Sequence, residues 1–469
     1  MNNQINYDGG SFRDPSGRVF CLHDKVFREL DNKSYDNFLE LSNNPFYKKL
    51  VNEGIIIGSN LINDSELIAR SKRCIIEHNK INFISYCYEW SPKMLHDAAI
   101  HTLDLQIKLL DEGYSLKDAT PYNIQFEGGS PIFIDIASIE SWDKKVSWFA
   151  YNQFCQFFLY PLFAQRYANM SIRQILLSEL EGLSFDKLIK VLPLRIKYNP
   201  KFFLDIGLPS LLSKIIKESA SHDIIKKEKN NFYAKDIQKN NLRRLKKVIS
   251  GLVKSSKSFW ASYEDTKSYS DFSVDQKNKF IYNCLNDVDD SDVSGILDIG
   301  SNTGFYSKMV ASIFPKTNVV AIDFDVESID RLYRENSEKI KANILPLVID
   351  ITNPSPALGW NSEERKSFLN RAKFDVVLAL AVIHHLRVSK NIPLEKIVEL
   401  LASVTSKYLV IEYISKDDPM FHKLTAIRKK VFNDYTLNNF ENFLSNFFII
   451  KKKIQLDMKT RYLYFLEKK

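Results

Sequence analysis

From residue 295 to the C-terminus, short apolar runs alternate with stretches whose apolar residues recur every three or four positions. The runs at 295–299, 318–323, 344–350, 374–380 and 408–413 are apolar at consecutive positions, the pattern of strands covered by helices on both faces. Their alternation with helical periods predicts a doubly wound parallel sheet. A closing pair, 447–452 and 461–466, reads as an antiparallel hairpin. The N-terminal half has a different rhythm. Residues 17–30 read as a strand hairpin, 95–113 as a long helix and 132–136 as a buried strand, an α+β pattern. Between the halves, 219–240 is rich in Lys and Asn, poor in apolar periodicity, and reads as a linker. Leu242, Leu245, Val248, Ile249 and Leu252 then recur at helical spacing and predict a basic amphipathic helix leading into the second domain. The expected division is 1–240, then 241–290 for the basic helix and lead-in helices, then 291–469.

Length agrees with two cores, since 469 residues exceed the roughly 250 to 300 at which a single core stops growing. The 32 Phe and 22 Tyr give an aromatic-rich interior. The net charge of +8 is concentrated at 214–257, including Lys226, Lys227, Lys229, Arg243, Arg244, Lys246 and Lys247. Such a stretch can meet nucleic acid, anionic lipid or an acidic glycan. Its plainer reading is a solvated helix face, and without a recognisable binding module nucleic acid is not expected. Cys21, Cys74, Cys87, Cys155 and Cys284 are scattered, odd in number and without a C-x-x-C pair, which argues against a disulfide framework or a zinc site. No apolar run reaches the roughly 18 residues of a membrane span, and 1–10 lack the order of a signal peptide, so the cytoplasm is the expected location.

One loop carries the clearest chemistry. Leu297-Asp298-Ile299 runs into a tight turn with Gly300 and Gly304, followed by a helical run from Phe305, a strand–loop–helix that brings backbone against a ligand. The spacing is G-x-x-x-G, not the G-x-G-x-x-G of dinucleotide loops. About twenty residues on, the second run ends in Asp323, placed to accept ribose hydroxyls, and the third run ends in Asp350, placed to accept from an adenine amino group. Singly, each acid reads as a strand end or helix cap. Together they converge on the crevice where open α/β sheets bind ligands. S-adenosylmethionine suits them, because it has no phosphate and its ammonium needs backbone polar groups and a carboxylate such as Asp298.

The segment from about Ser294 onward resembles class I S-adenosylmethionine-dependent methyltransferase domains. That resemblance implies a Rossmann-like, seven-stranded sheet. Its cofactor contacts would come from Asp298, Gly300, Ser301, Asn302 and Gly304, from Asp323 with Phe324, and from Asp350 with Ile351. Asn302 stands where a middle glycine is commoner. The whole chain is similar to a narrower bacterial group that includes nodulation proteins, through Gly10-Ser-Phe-Arg-Asp-Pro-Ser-Gly-Arg18, Asp118-Ala-Thr-Pro-Tyr-Asn123, Asp350-Ile-Thr-Asn-Pro-Ser-Pro-Ala-Leu-Gly-Trp360 and Leu380-Ala-Val-Ile-His-His-Leu386. It implies methyl transfer, with a glycan or sugar-containing metabolite as the first acceptor class, ahead of proteins and small natural products.

Methyl transfer from a sulfonium is an in-line displacement in which alignment and exclusion of water dominate, and a base is needed only when the nucleophile must lose a proton. His384 and His385 follow the fourth run, and one of them is a candidate base; the alternative is a packing role. Glu412 and the turn 417–419 are weaker candidates for the acceptor side. Trp260, Tyr263, Tyr269 and Phe272 precede the sheet and read either as core or as a lid.

In the N-terminal half, Asp118 is followed five residues later by Asn123 and, after a buried strand, by Asp135. Phosphotransfer enzymes of the kinase fold use that order. The segment resembles the catalytic loop of aminoglycoside-phosphotransferase-like and other atypical kinases. This implies a kinase-like domain with Asp118 as base, Asn123 and Asp135 holding magnesium with ATP, and 83–90 joining two lobes. Against it, no histidine precedes Asp118, Gly17 alone makes no glycine-rich loop, and no ATP-anchoring lysine is assignable. Turn caps at Asp118 and Asn123 and a strand end at Asp135 are the plainer reading. Three functions therefore compete: a methyltransferase with a kinase-like accessory domain, a bifunctional kinase and methyltransferase, and a non-catalytic cofactor-binding protein.

Overall fold

The structure, a computed structural model, describes residues 5–62, 74–143, 148–202, 206–207, 231–253, 271–425, 432–456 and 459–469. In the N-terminal half, β1 (Asn6–Tyr7), β2 (Gly17–Leu22), β3 (Lys25–Leu30), β4 (Ser59–Leu61) and β5 (Cys74–His78) form an antiparallel sheet in the order β1-β2-β3-β5-β4. The hairpin expected at 17–30 is β2–β3, turned through His23 and Asp24 at positive φ. The expected long helix runs Pro92–Asp111, started by Ser91, whose side chain accepts from the Met94 amide, and by Pro at the first turn. Two small hairpin-like pairs follow: β6 (Tyr114–Leu116) with β9 (Ile139–Ser141), and β7 (Ile124–Glu127) with β8 (Ser130–Phe133). The buried strand expected at 132–136 thus ends at Phe133.

The C-terminal half is the anticipated α/β unit. Strands β10 (Gly295–Ile299), β11 (Asn318–Asp323), β12 (Ile344–Val348), β13 (Phe374–Ala379), β14 (Thr405–Ile414), β15 (Phe448–Gln455) and β16 (Arg461–Lys468) form one seven-stranded sheet, β12-β11-β10-β13-β14-β16-β15. The first five are parallel, and β16 runs antiparallel between β14 and β15. Alternate residues serve opposite faces. Ile296, Val319, Ile344, Val376 and Val410 pack with Ile281, Cys284 and Leu285 of the helix Asp271–Asn286 and with Val310 of the helix Phe305–Ile313. Leu297, Val320, Leu345, Val377 and Leu409 face a core continuous with Leu95, Leu103 and Phe133 of the N-terminal half.

The helix Asn231–Ser250 departs from the sequence reading. Residues 231–240 are helical rather than linker, and Leu242, Leu245 and Ile249 are buried in the N-terminal core. Lys246 pairs with Asp104 at 2.6 Å and Lys239 with Asp111 at 2.5 Å, both acids on the helix Pro92–Asp111. Lys239 and Lys246 are thus matched by the chain's own acids. Residues 219–230, with Lys226, Lys227 and Lys229, lie outside the described residues. All five cysteines are free thiols, and no described helix is long and apolar enough to cross a membrane.

The two halves share buried polar contacts. Arg371 forms an ion pair with Glu89, whose side chain is fully buried, and Phe83 stacks on Phe374 at 5.6 Å between centroids. Tyr333 donates to Asp97 at 3.0 Å. The segment 83–90 therefore lies against the C-terminal half. At the far edge of the large sheet, β15 exposes Lys451, Lys452 and Lys453, which pair with Glu467, Asp287 and Glu441.

Candidate functional site

Strand β10 ends at Ile299, and the chain turns at once. Gly300 adopts φ 73°, and its amide and that of Ser301 both donate to the Ile322 carbonyl at 2.8 and 3.0 Å. A Cβ on Gly300 would stand 2.6 Å from Val382 Cγ2, and one on Gly304 (φ 81°) would collide with the Leu332 side chain. Both glycines are therefore required by conformation and by space. Asn302 takes φ 49°, a left-handed value that asparagine tolerates best among residues with a side chain, which accounts for its place in the turn.

The three acids lie at the carboxyl ends of β10, β11 and just beyond β12, on adjacent strands. Asp298 is 3% exposed and accepts from Ser307 Oγ at 2.6 Å, so it braces the first turn of the following helix. Burial pushes its carboxyl up to about 6, with the Ser307 hydrogen bond opposing. Asp323 accepts from the Asn302 amide on Oδ2 (3.0 Å) and from the Asp325 amide on Oδ1 (2.9 Å). The Phe324 amide also donates to this carboxylate, which keeps acceptor capacity for a ribose hydroxyl. Burial raises this carboxyl, against backbone hydrogen bonds from Asp325 and Asn302 that lower it. Phe324 beside it is largely exposed. Asp350 accepts from the amide and hydroxyl of Thr352 on Oδ1 and from Lys390 on Oδ2 at 3.3 Å. Burial pushes its carboxyl up, but the Thr352 bonds and Lys390 outweigh that and hold it below the ordinary range. Ser301 Oγ is buried in the turn and has no protein partner among the described residues. An adenosine-bearing sulfonium fits this donor and acceptor set.

Beyond β13, Ala381 adopts φ 55° and turns the chain into His384 and His385, whose rings lie 4.2 Å apart. His384 is 2% exposed, and its Nδ1 has no protein partner among the described residues. Burial first, then the charges of His385, Arg461 and Lys277, drive it well below its ordinary value. Burial also lowers His385. Both are neutral at physiological pH, the form that can accept a proton. The acceptor-side acids are otherwise engaged. Glu412 is fully buried against Lys277 (2.7 Å) and Arg461 (3.8 Å), and buried Asp418 holds Arg461 Nε at 2.8 Å. Lys277 and Arg461 carry no local sequence signal; only the fold brings them to Glu412. Of the lid candidates, Trp260, Tyr263 and Tyr269 lie outside the described residues, and Phe272 is largely exposed.

A methyltransferase domain family model matches residues 297–405, the span that holds all three acids and both histidines. The chain is also 33% identical over 463 residues to the nodulation protein NoeA of Rhizobium meliloti (strain 1021), covering 98% of this chain and 95% of that one. The chain belongs to the NoeA family. It is an S-adenosylmethionine-dependent methyltransferase. Among solved structures, a SAM-dependent methyltransferase from Aquifex aeolicus aligns over 45% of this chain and all of its own, at 15% identity and a TM-score of 0.32. The bifunctional kinase-methyltransferase WbdD aligns over 46% of this chain and 44% of its own, at 17% identity and a TM-score of 0.30.

In this NoeA-family chain the N-terminal triplet is also brought together. Burial, and then the charge of Asp135, push the Asp118 carboxyl up, while its amide donates to Ser138 Oγ at 3.0 Å. Asn123 Nδ2 is buried without a protein partner among the described residues. Asp135, however, is ion-paired with Arg28 of β3 at 2.6 Å, and Arg28 also lies 3.7 Å from Asp14. The sequence reading missed this arginine, which sits in an ordinary strand pattern. Among the described residues no group of three or more His, Cys, Asp or Glu side chains is arranged to hold a metal. Magnesium and ATP find no support in this arrangement.

Proposed function

We propose that the chain transfers the methyl group of S-adenosylmethionine to an oxygen or nitrogen nucleophile of a small acceptor. A glycan or sugar-containing metabolite is the first class to test, on the strength of the relationship to a nodulation protein. The observation that carries the reading is the alignment of Asp298, Asp323 and Asp350 at neighbouring strand ends beside the Gly300–Gly304 turn.

The bound cofactor supplies an electrophilic methyl group on sulfur. Asp323 accepts the ribose hydroxyls, with Phe324 beside them. Asp350 and Ile351 border the adenine. Gly300, Ser301, Asn302 and Gly304 present backbone to the amino-acid end, and Asp298 fixes that turn through Ser307. His385, the more accessible of the two imidazoles, takes the acceptor's proton, with His384 packed behind it. In this reading 291–469 performs the transfer, the helix Asn231–Ser250 goes with the N-terminal part, and that part contributes binding surface rather than phosphotransfer, because Asp135 is committed to Arg28.

Calorimetry with S-adenosylhomocysteine is the test. Asp323→Ala removes an acceptor of two hydrogen bonds, each worth about 1.5 to 3 kcal/mol when one partner is charged, so affinity should fall tenfold or more. No binding by the wild-type chain would sink the reading. Methyl transfer from labelled cofactor to a panel of oligosaccharides, lost in His385→Ala, would fix the acceptor class.

A further inference from the structure

The connection from β12 to β13 does more than link two strands. It begins at Asp350, turns through a hydrogen bond from the Asn353 amide to the Asp350 carbonyl at 2.9 Å, and buries Ser355, which is 1% exposed. The Ser355 carbonyl accepts from the Phe368 amide at 2.9 Å, and Asp350 accepts from Lys390 at 3.3 Å, so the loop is tied back to its own domain. Its other support comes from the N-terminal half. Arg173, in the helix Ile172–Ser178, donates through Nη1 to Ser355 Oγ at 3.0 Å and through Nη2 to the Asn353 carbonyl at 3.1 Å. The same Nη1 lies 3.4 Å from the Tyr88 carbonyl, a longer contact within the N-terminal half. Ser171 caps the helix by accepting from the Gln174 amide at 3.4 Å, which fixes the base of the arginine.

We infer that Arg173 is a positioning residue for the adenine end of the cofactor site: it clamps 353–355 from outside the methyltransferase domain and so sets where Asp350 and Ile351 stand. The inference rests on the cofactor reading above. A planar guanidinium can hold two acceptors of one loop at a fixed separation, whereas an ammonium of similar reach holds one at a time. Attraction to Glu89 first, and then to Asp350, also acts on Arg173. Ser355 Oγ and the Asn353 carbonyl would otherwise have to find water or fold differently, and Thr352, which holds Asp350 Oδ1, lies between them and the acid. On this view the N-terminal half completes the cofactor site of the C-terminal one.

The test uses the full chain and two probes, S-adenosylhomocysteine and adenosine, by calorimetry. Arg173→Ala should weaken both probes by the same factor, on the order of tenfold for the loss of about one charged hydrogen bond's worth of ordering. Equal losses place the defect at the adenosine end. Arg173→Lys should recover less than half of the loss, because the fork is absent, and Ser355→Ala should reproduce part of it without touching the arginine should Arg173→Ala fold poorly. Arg13→Ala, which breaks an exposed pair with Glu364 at the same junction, should leave both affinities unchanged and so controls for general loosening of the interface. Wild-type affinity in both Arg173→Ala and Ser355→Ala, with binding still lost in Asp323→Ala, overturns this inference alone. A wild-type chain that binds neither probe removes the cofactor reading and this inference with it.

Discussion

Asp298 is a carboxyl group with almost no contact with water, held by the hydroxyl and the amide of Ser307, and its ionisation is felt by the whole fold. Its carboxyl is pushed up to about 6 in the folded chain from an ordinary value of 3.8. The folded state therefore keeps the proton longer than the unfolded one, and stability falls as pH rises through that window, with the deficit persisting above it. Asp298→Asn has nothing to ionise. Its melting temperature relative to wild type should rise between pH 5 and pH 8, by the equivalent of about 1 to 2 kcal/mol. The two histidines run in the opposite sense: the fold favours their neutral forms, so stability is lost as pH falls below 6.5 and the unfolded chain takes up protons that the folded one refuses. Imidazole NMR signals, assigned with His384→Gln and His385→Gln, should titrate below 6.5 for both residues, and a normal midpoint at either would contradict the burial described here.

At the scale of the element, the turn proposed to hold the cofactor combines three left-handed residues within five positions, Gly300, Asn302 and Gly304. Gly304→Ala should lower the melting temperature and weaken S-adenosylhomocysteine tenfold or more, since strain and collision add to roughly 1 to 3 kcal/mol or above. Asn302→Gly should stay within about 0.5 kcal/mol of wild type by denaturant melts, because glycine adopts the same φ freely while the bond from Ser328 Oγ to Asn302 Oδ1 is lost. This element was legible in the sequence. The strands at 295–299 and 318–323 fall where their apolar runs do, because both are buried on two faces and end abruptly at a glycine or an acid. Helix ends were less legible. The helix Asn231–Ser250 begins among Lys and Asn residues whose acidic partners, Asp104 and Asp111, lie more than a hundred positions upstream, so local polarity read as linker. The same distance hid Arg28 from Asp135 and Arg173 from Ser355: each pair is created by packing, and periodicity reports only on neighbours along the chain.

For the whole molecule, the shared core and the buried Arg371–Glu89 pair couple the halves, and we expect them to unfold together. Removing one member of a buried pair leaves an uncompensated charge at a cost of about 3 to 5 kcal/mol. Glu89→Ala should therefore lower stability by that amount and still melt in a single transition when followed by both tryptophan fluorescence, to which Trp90, Trp142 and Trp148 of the first half and Trp260 and Trp360 of the second contribute, and far-ultraviolet dichroism. Two separate transitions would show that the junction transmits little. The lysine row on β15 bears on a different hazard. An open sheet edge is a template on which another copy can add a strand, and long flat apolar edges seed aggregates. Lys451, Lys452 and Lys453, each leashed to an acid of its own chain, put charge on that edge, so a sheet large enough to hold the cofactor ends without inviting an eighth strand.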